Sequence, residues 1–209
     1  MSGRPVLVLA STSPRRRALL ESLGLAFEVL DPGPDGPAEA GEPGALARAL
    51  ARNKARAGRR LRPEAWILAA DTVVWLPEEG GAGRWLDKPA DRREAETMLR
   101  ALEEREHEVW TGAVLLGPAG EEIGRADRAR VRFGRIPAEE LEAWLRSGSW
   151  RDKAGAWALQ ELPGRWARVV EGWPGTVVGL AAEAVEALLE AGPGLQAFRR
   201  PPCRKDGPA

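Results

Sequence analysis

The chain is 209 residues long, enough to bury a substantial core as one large domain or two small ones. Lys and Arg together number 31, as do Asp and Glu, and the resulting zero net charge argues against bulk nucleic-acid binding while leaving room for a local basic pocket. A single cysteine, Cys203 in a Pro-rich tail, excludes an internal disulfide framework or a cysteine metal cluster and fits a reducing compartment.

No apolar run approaches the roughly 20 residues of a membrane helix, and the residues before Val6 form no signal peptide, so a soluble cytoplasmic protein is expected. The first predicted element is a strand over Val6 to Leu9 that stops at the turn Ser11-Thr12-Ser13. Pro14, followed by Ala18, Leu19, Leu20 and Leu23 at helical spacing, predicts a helix with Ser13 as N-cap and Gly24 at its end. Arg15, Arg16 and Arg17 all fall in its first turn, where the helix dipole favours acidic side chains and each like charge costs about 0.3–1 kcal/mol. Such a cluster makes physical sense if an anion binds there, held by free N–H groups, serine hydroxyls and guanidinium forks together. The alternative is three solvated arginines on a surface helix, and the stretch as a whole favours a phosphate cradle.

A second strand is predicted over Phe27 to Leu30, then a Pro/Gly-rich loop from Asp31 to Pro43 carrying Asp31, Asp35, Glu39 and Glu42. A helix over Gly44 to Ala57 puts Leu46, Ala47, Leu50 and Ala51 on one face and Arg48, Arg52 and Arg56 on another. Lys54 falls between Ala47 and Leu50 on the apolar side, where it either snorkels outward or reaches into a cleft. Trp66 to Leu76 is the most apolar segment and reads as a buried strand with Asp71 in its middle. A carboxylate buried there without partners costs several kcal/mol or becomes protonated, so Asp71 requires a cation, a metal or a water-filled cleft beside it.

Gly80 to Gly83 is a turn that returns through Arg84-Trp85-Leu86 to Asp87-Lys88-Pro89, and Asp91 with Glu94 forms a capping box opening a helix through Leu102. Strands follow over His107 to Leu116 and through Val131 and Phe133, then a helix after Pro137 that ends at Ser147-Gly148-Ser149. His107 has no metal-ligand partner at useful spacing, so a structural hydrogen bond is its expected role. Asp152 and Lys153 stand beside small residues that permit close backbone approach, and a strand over Trp166 to Val170 leads through Gly172-Trp173-Pro174-Gly175 to a last helix over Thr176 to Leu189. No linker separates two domains: residues 1–192 are expected to form one domain and 193–209 a disordered tail.

No Walker motif, GxGxxG fingerprint, HExxH pair or Gly-x-Ser-x-Gly elbow is present. What remains is a phosphate cradle at Ser11 to Arg17, lysines at Lys54 and Lys88, and carboxylates at Asp71, Asp152 and in the acidic loop. That combination suits metal-assisted phosphoryl chemistry: cations hold a polyphosphate, carboxylates hold a metal, and one carboxylate takes a proton from attacking water.

Leu9 to Arg16, Lys54-Ala55, Ala70 to Val74, Lys88-Pro89, His107 to Gly112, and Asp152 to Gly155 with Gln160 together resemble the Maf family of nucleoside triphosphate pyrophosphatases, in family order from about residue 6 to Leu180. The resemblance implies an α/β fold related to that of the inosine-triphosphate pyrophosphatases, with a mixed elongated sheet flanked by helices and two lobes around a central cleft. It implies release of pyrophosphate from a nucleoside triphosphate, dependent on Mg²⁺ or Mn²⁺, and it points to a homodimer. It places the catalytic carboxylate on Asp71 and substrate contacts on Ser11, Arg15, Arg16, Lys54, Thr72, Lys88, Asp152, Lys153 and Gln160. Arg15, Thr72 and Gln160 resemble the branch acting on dTTP and UTP, and the Gln160 amide offers both a donor and an acceptor to such a base. The family's metal-site glutamate falls, by ungapped counting, on Asp35-Gly36, which leaves Asp35 or Glu39 to join Asp71 at the metal. Two alternatives stay open: a house-cleaning pyrophosphatase for modified nucleotides, and a nucleotide-binding regulator of cell division.

Overall fold

The computed structural model describes residues 5–34, 36, 38, 41–78, 80, 83–162, 164 and 166–200. Seven strands form one mixed sheet: β1 (Leu7–Ala10), β2 (Glu28–Leu30), β3 (Trp66–Pro77), β4 (Gly83–Leu86), β5 (Glu106–Leu116), β6 (Glu122–Phe133) and β7 (Ala167–Glu171). Their order is β2-β1-β3-β5-β6-β7, with β4 also on β3. β1 runs parallel to β2 and β3, and all other pairings are antiparallel. Among the described residues six α-helices flank the sheet: α1 (Pro14–Ser22), α2 (Pro43–Leu61), α3 (Arg92–Leu102), α4 (Ala138–Ser147), α5 (Pro174–Val178) and α6 (Ala182–Glu190).

The pairing along β3 creates the feature on which the site depends. One edge of β3 is joined to β5 from Ile67 to Trp75. The other edge is paired with β1 only as far as Leu68 and with β4 only from Val74 onward. Among the described residues no strand covers residues 69–73 on that side, so the sheet has a gap there. Side chains alternate across a strand, and the gap lets Asp71 on one face and Thr72 on the other reach the same space.

Three apolar clusters organise two lobes. In the first lobe α2 packs Ala51 and Ala55 on Ile67 and Val114, while α1 and α6 cover the opposite face with Leu20, Val185 and Leu189 against Leu9 and Leu68. In the second lobe α3 and α4 bury Met98, Leu99 and Leu141 with Phe133, Trp157 and Trp166. The expected capping box at Asp91 forms with a one-residue offset in its second half: Asp91 accepts from the Glu94 amide at 2.8 Å, and the Glu94 carboxylate accepts from the amide of Ala90, just before the cap, at 2.7 Å.

Helix α2 extends four residues beyond the expected Ala57 because Gly58 is a contact point and not a break: a Cβ there would stand 2.9 Å from Ile67 Cγ2. α1 starts where expected, with Pro14 in its first turn, but the Ser13 side chain makes no cap hydrogen bond. Its end is a Schellman turn, the Gly24 and Leu25 amides donating to the carbonyls of Glu21 and Leu20. Thr176 to Leu189 is not one helix: Gly179, at φ 122°, separates α5 from α6. Within the segment expected to be a tail, residues 195–200 pack on the first lobe. Leu195 and Phe198 are buried against the first lobe, and Ala26 and Arg200 exchange main-chain hydrogen bonds with Phe198 and Gly24. Cys203 lies outside the described residues.

The hydrogen bond expected for His107 is also corrected. The ring is fully buried, and among the described residues neither nitrogen has a hydrogen-bond partner. It packs instead 5.5 Å from the Phe133 ring and edge-on to Trp157 at 5.3 Å. Burial pushes its pKa down from 6.5 to about 3, because the imidazolium would lose its water there. The folded chain keeps His107 neutral while the unfolded chain takes up a proton below its ordinary value. Stability from this residue is therefore complete above about pH 6.5 and declines toward pH 3, with a slope of up to about 1.4 kcal/mol per pH unit. His107→Phe should flatten the acid arm of the Tm-against-pH curve relative to the parent, and equal slopes would remove His107 as its source.

Candidate active site

A cleft of about 740 Å³ opens at the gap in β3. The β1–α1 turn brings Ser11, Arg15 and Arg16 to it, α2 brings Lys54, and β3 brings Asp71 and Thr72. Lys88 enters from the stretch after β4, and Asp152, Lys153 and Gln160 from the segment after α4. All the residues singled out for substrate contact, separated by up to 149 positions between Ser11 and Gln160, therefore line one cavity.

Asp71 and Lys54 form a hydrogen-bonded ion pair, each side chain only 14% exposed. This answers the question posed by an aspartate in an apolar strand, since a buried carboxylate is tolerated when paired and hydrogen-bonded. The pair forms because α2 lies close on the sheet. A Cβ at Gly112 would overlap the main-chain carbonyl carbon and oxygen of Ala47 and the amide nitrogen of Arg48. Only glycine on β5, opposite Asp71 in the register, lets the helix settle deeply enough for Lys54 to reach across.

The three arginines of α1 divide into three environments. Arg16 is tied down, its Nε donating to the Gly179 carbonyl at 3.0 Å and its two terminal nitrogens to Ser11 Oγ and Thr72 Oγ1, each at 3.3 Å. Arg15 lies 3.8 Å from Glu161, and Arg17 turns to solvent and pairs with Glu21 on its own helix at 2.9 Å. The expected cradle over residues 11–17 thus narrows to Ser11 through Arg16. On the facing lobe Lys153 is 13% exposed, hydrogen-bonded to the Ser149 carbonyl and 3.2 Å from Glu161. Asp152 and Ala156 hold left-handed φ values of 60° and 66° around Gly155, a conformation costing of order 1–3 kcal/mol at a non-glycine residue.

Several lining residues were not singled out from sequence. Arg151 stands at the rim with its guanidinium 4.7 Å from the Trp150 ring, and Val74, Val109, Val177 and Trp157 supply an apolar wall. The Gly179 carbonyl was the other omission, and an isolated glycine within a helical pattern was its one signal. Asp31 lines the cleft as well, but Asp35 and Glu39 lie outside the described residues. Among the described residues no three His, Cys, Asp or Glu side chains group closely enough to hold a metal ion. Asp71 and Asp31 both line the cleft, and a Mg²⁺-type cation needs only one or two carboxylates, completing its shell with water and substrate phosphates.

A HAM1 protein from Coxiella burnetii shares this fold, with a TM-score of 0.50 and 18% identity over 90% of this chain and 100% of that one. The family model described as Maf-like protein matches residues 6–192. A dTTP/UTP pyrophosphatase from Chelativorans sp. (strain BNC1) is 42% identical over 91% of this chain and 93% of its own length. One from Thermus thermophilus is 43% identical over 91% of this chain and 96% of its own. The chain belongs to the Maf-like family. No helix among the described residues is long and apolar enough to cross a membrane.

Proposed function

We propose that the chain hydrolyses nucleoside triphosphates, dTTP and UTP foremost, to the nucleoside monophosphate and pyrophosphate. The observation that carries this is the convergence on one cleft of Arg15, Arg16, Lys54, Lys88 and Lys153 with the single strand-borne carboxylate Asp71. Five cations suit a triphosphate, whose charge must be matched where it is taken out of bulk water. The curated relatives carry the same substrates in their names.

In this reading Asp71 accepts a proton from the water whose oxygen bonds to the α-phosphorus. The bond from that phosphorus to the α,β-bridging oxygen breaks, and the electron pair leaves with pyrophosphate. Lys54, ion-paired with Asp71, fixes the position of the carboxylate in the cleft, while Arg16, fixed by three oxygens, presents a rigid edge to the phosphates. Asp71, with Asp31 or a carboxylate of the 31–43 loop such as Asp35 or Glu39, would hold a divalent cation, which would supply charge neutralisation for the departing pyrophosphate. Gln160, Arg15 and Thr72 read the base beside the apolar wall of Val74, Val109 and Trp157.

Pyrophosphate release from dTTP, UTP, CTP, ATP, GTP, ITP and 7-methyl-GTP, measured with Mg²⁺ and then Mn²⁺, tests this directly. The expected result is turnover of dTTP and UTP well above the others. Release confined to a purine nucleotide would overturn the base assignment, and none from any member would overturn the reaction.

A further inference from the structure

Thr111 lies on β5 opposite Thr72, buried with 2% of its surface exposed, and it lines no part of the cleft. Its hydroxyl oxygen has two neighbours. The main-chain carbonyl of Thr176, 2.7 Å away, can only accept, so the one proton of Thr111 goes to it. Thr72 Oγ1 stands 2.8 Å from Thr111 Oγ1 and must supply the proton of that contact, since otherwise two lone pairs would face each other. On its other side Thr72 Oγ1 accepts from Arg16. A hydroxyl has one proton and two lone pairs. With the proton directed at Thr111 and one lone pair at Arg16, Thr72 has a single lone pair left for whatever occupies the cleft.

We infer that Thr111 is a positioning residue that sets the polarity of Thr72, making it a fixed acceptor that selects a base bearing a ring N–H. The inference rests on the cleft being a dTTP/UTP site. Thymine and uracil carry a proton on ring N3 between two carbonyls, whereas cytosine presents a lone pair at that atom. A donor meeting Thr72 completes a hydrogen bond; a second lone pair leaves two buried acceptors unpaired. Leaving such groups unsatisfied costs more than satisfying them gains, so a fixed acceptor discriminates chiefly by rejection. The same relay reaches from α5 through β5 and β3 to the β1–α1 turn, so Thr111 also steadies the Arg16 guanidinium.

The test compares kcat/KM for UTP and CTP in the parent, Thr111→Val and Thr111→Ser. Valine keeps the shape of the side chain but removes the acceptor for the Thr72 proton, and the Thr72 hydroxyl can then rotate to donate. The UTP-to-CTP ratio is expected to fall by roughly tenfold or more in Thr111→Val, part of it as a lowered KM for CTP, and to stay within about twofold in Thr111→Ser. If valine lowers both substrates by one common factor, or serine shifts the ratio as valine does, the relay is overturned while the base assignment stands. A parent enzyme with no preference for UTP over CTP overturns both. The relay also predicts slowly exchanging NMR signals from the Thr72 and Thr111 hydroxyl protons in the parent protein, and their absence overturns it whether or not the valine variant folds.

Discussion

Pyrophosphate release from dTTP is expected to fall by about 10²–10⁴-fold in the Asp71→Asn variant, with dTTP binding retained. Asparagine has the size of aspartate and keeps a hydrogen-bond acceptor for Lys54, but it cannot take a proton from water. The ion pair between Asp71 and Lys54 also makes a second, opposing effect predictable. Once the carboxylate is neutral, it no longer competes with the triphosphate for the lysine charge, so affinity should hold or tighten. Binding by calorimetry beside single-turnover pyrophosphate release separates the two. Were Asp71 present only to neutralise Lys54, the variant would turn over within a few-fold of the parent, and that outcome would take Asp71 out of the mechanism.

The second large effect is expected from Gly112→Ala. The added methyl group meets the main chain of α2 at Ala47 and Arg48, and a helix backbone has no rotamer by which to yield. Overpacking costs typically about 1–3 kcal/mol, and the absence of any flexible neighbour puts this case at the upper end. For a chain of this size that corresponds to a Tm lowered by roughly 6–12 °C. Activity should suffer beyond the loss of stability, because lifting α2 withdraws Lys54 from Asp71. Gly41→Ala, where a Cβ meets nothing within 4 Å, is the matched control and should leave both quantities unchanged. An unshifted Tm for Gly112→Ala would mean that α2 does not sit on β5 as described.

Much of this architecture is legible in the sequence where local chemistry and tertiary demand coincide. Asp71 stands out because a charge in an apolar strand contradicts burial unless something answers it. Lys54 stands out because helical spacing puts it on the apolar side of α2, and the two prove to be one pair. Asp91 and Glu94 identify a helix start by their own hydrogen bonds. What escaped detection depends on partners distant in sequence. The break at Gly179 frees a carbonyl that holds Arg16, 163 residues earlier, and the isolated glycine marks the break without announcing the partner. Residues 195–200 look like a polar, Pro-flanked tail, and only the folded neighbourhood of α6 and the α1–β2 connection gives Leu195 and Phe198 somewhere to bury. His107 misled in the opposite direction: a histidine calls for a polar partner, yet here an aromatic cage accepts it as a neutral ring.

The gap along β3 also has a mechanical consequence. The lobes on either side of the cleft are not beads on a flexible tether. β3, β5 and β6 cross from one to the other as a continuous hydrogen-bonded ribbon, paired from Ile67 to Trp75 on one side and from Glu106 to Leu116 on the other. A three-stranded ribbon resists folding about a point and yields mainly by twisting, so relative motion of the two lobes is expected to resemble that of the two ends of a torsion bar. Asp71 sits midway along the paired length of β3, between the two ends, where a twist displaces an atom less than it does at either lobe. The bases, phosphates and rim arginines can shift as the jaws adjust, while the carboxylate against which they must be aligned stays as still as the strand that carries it.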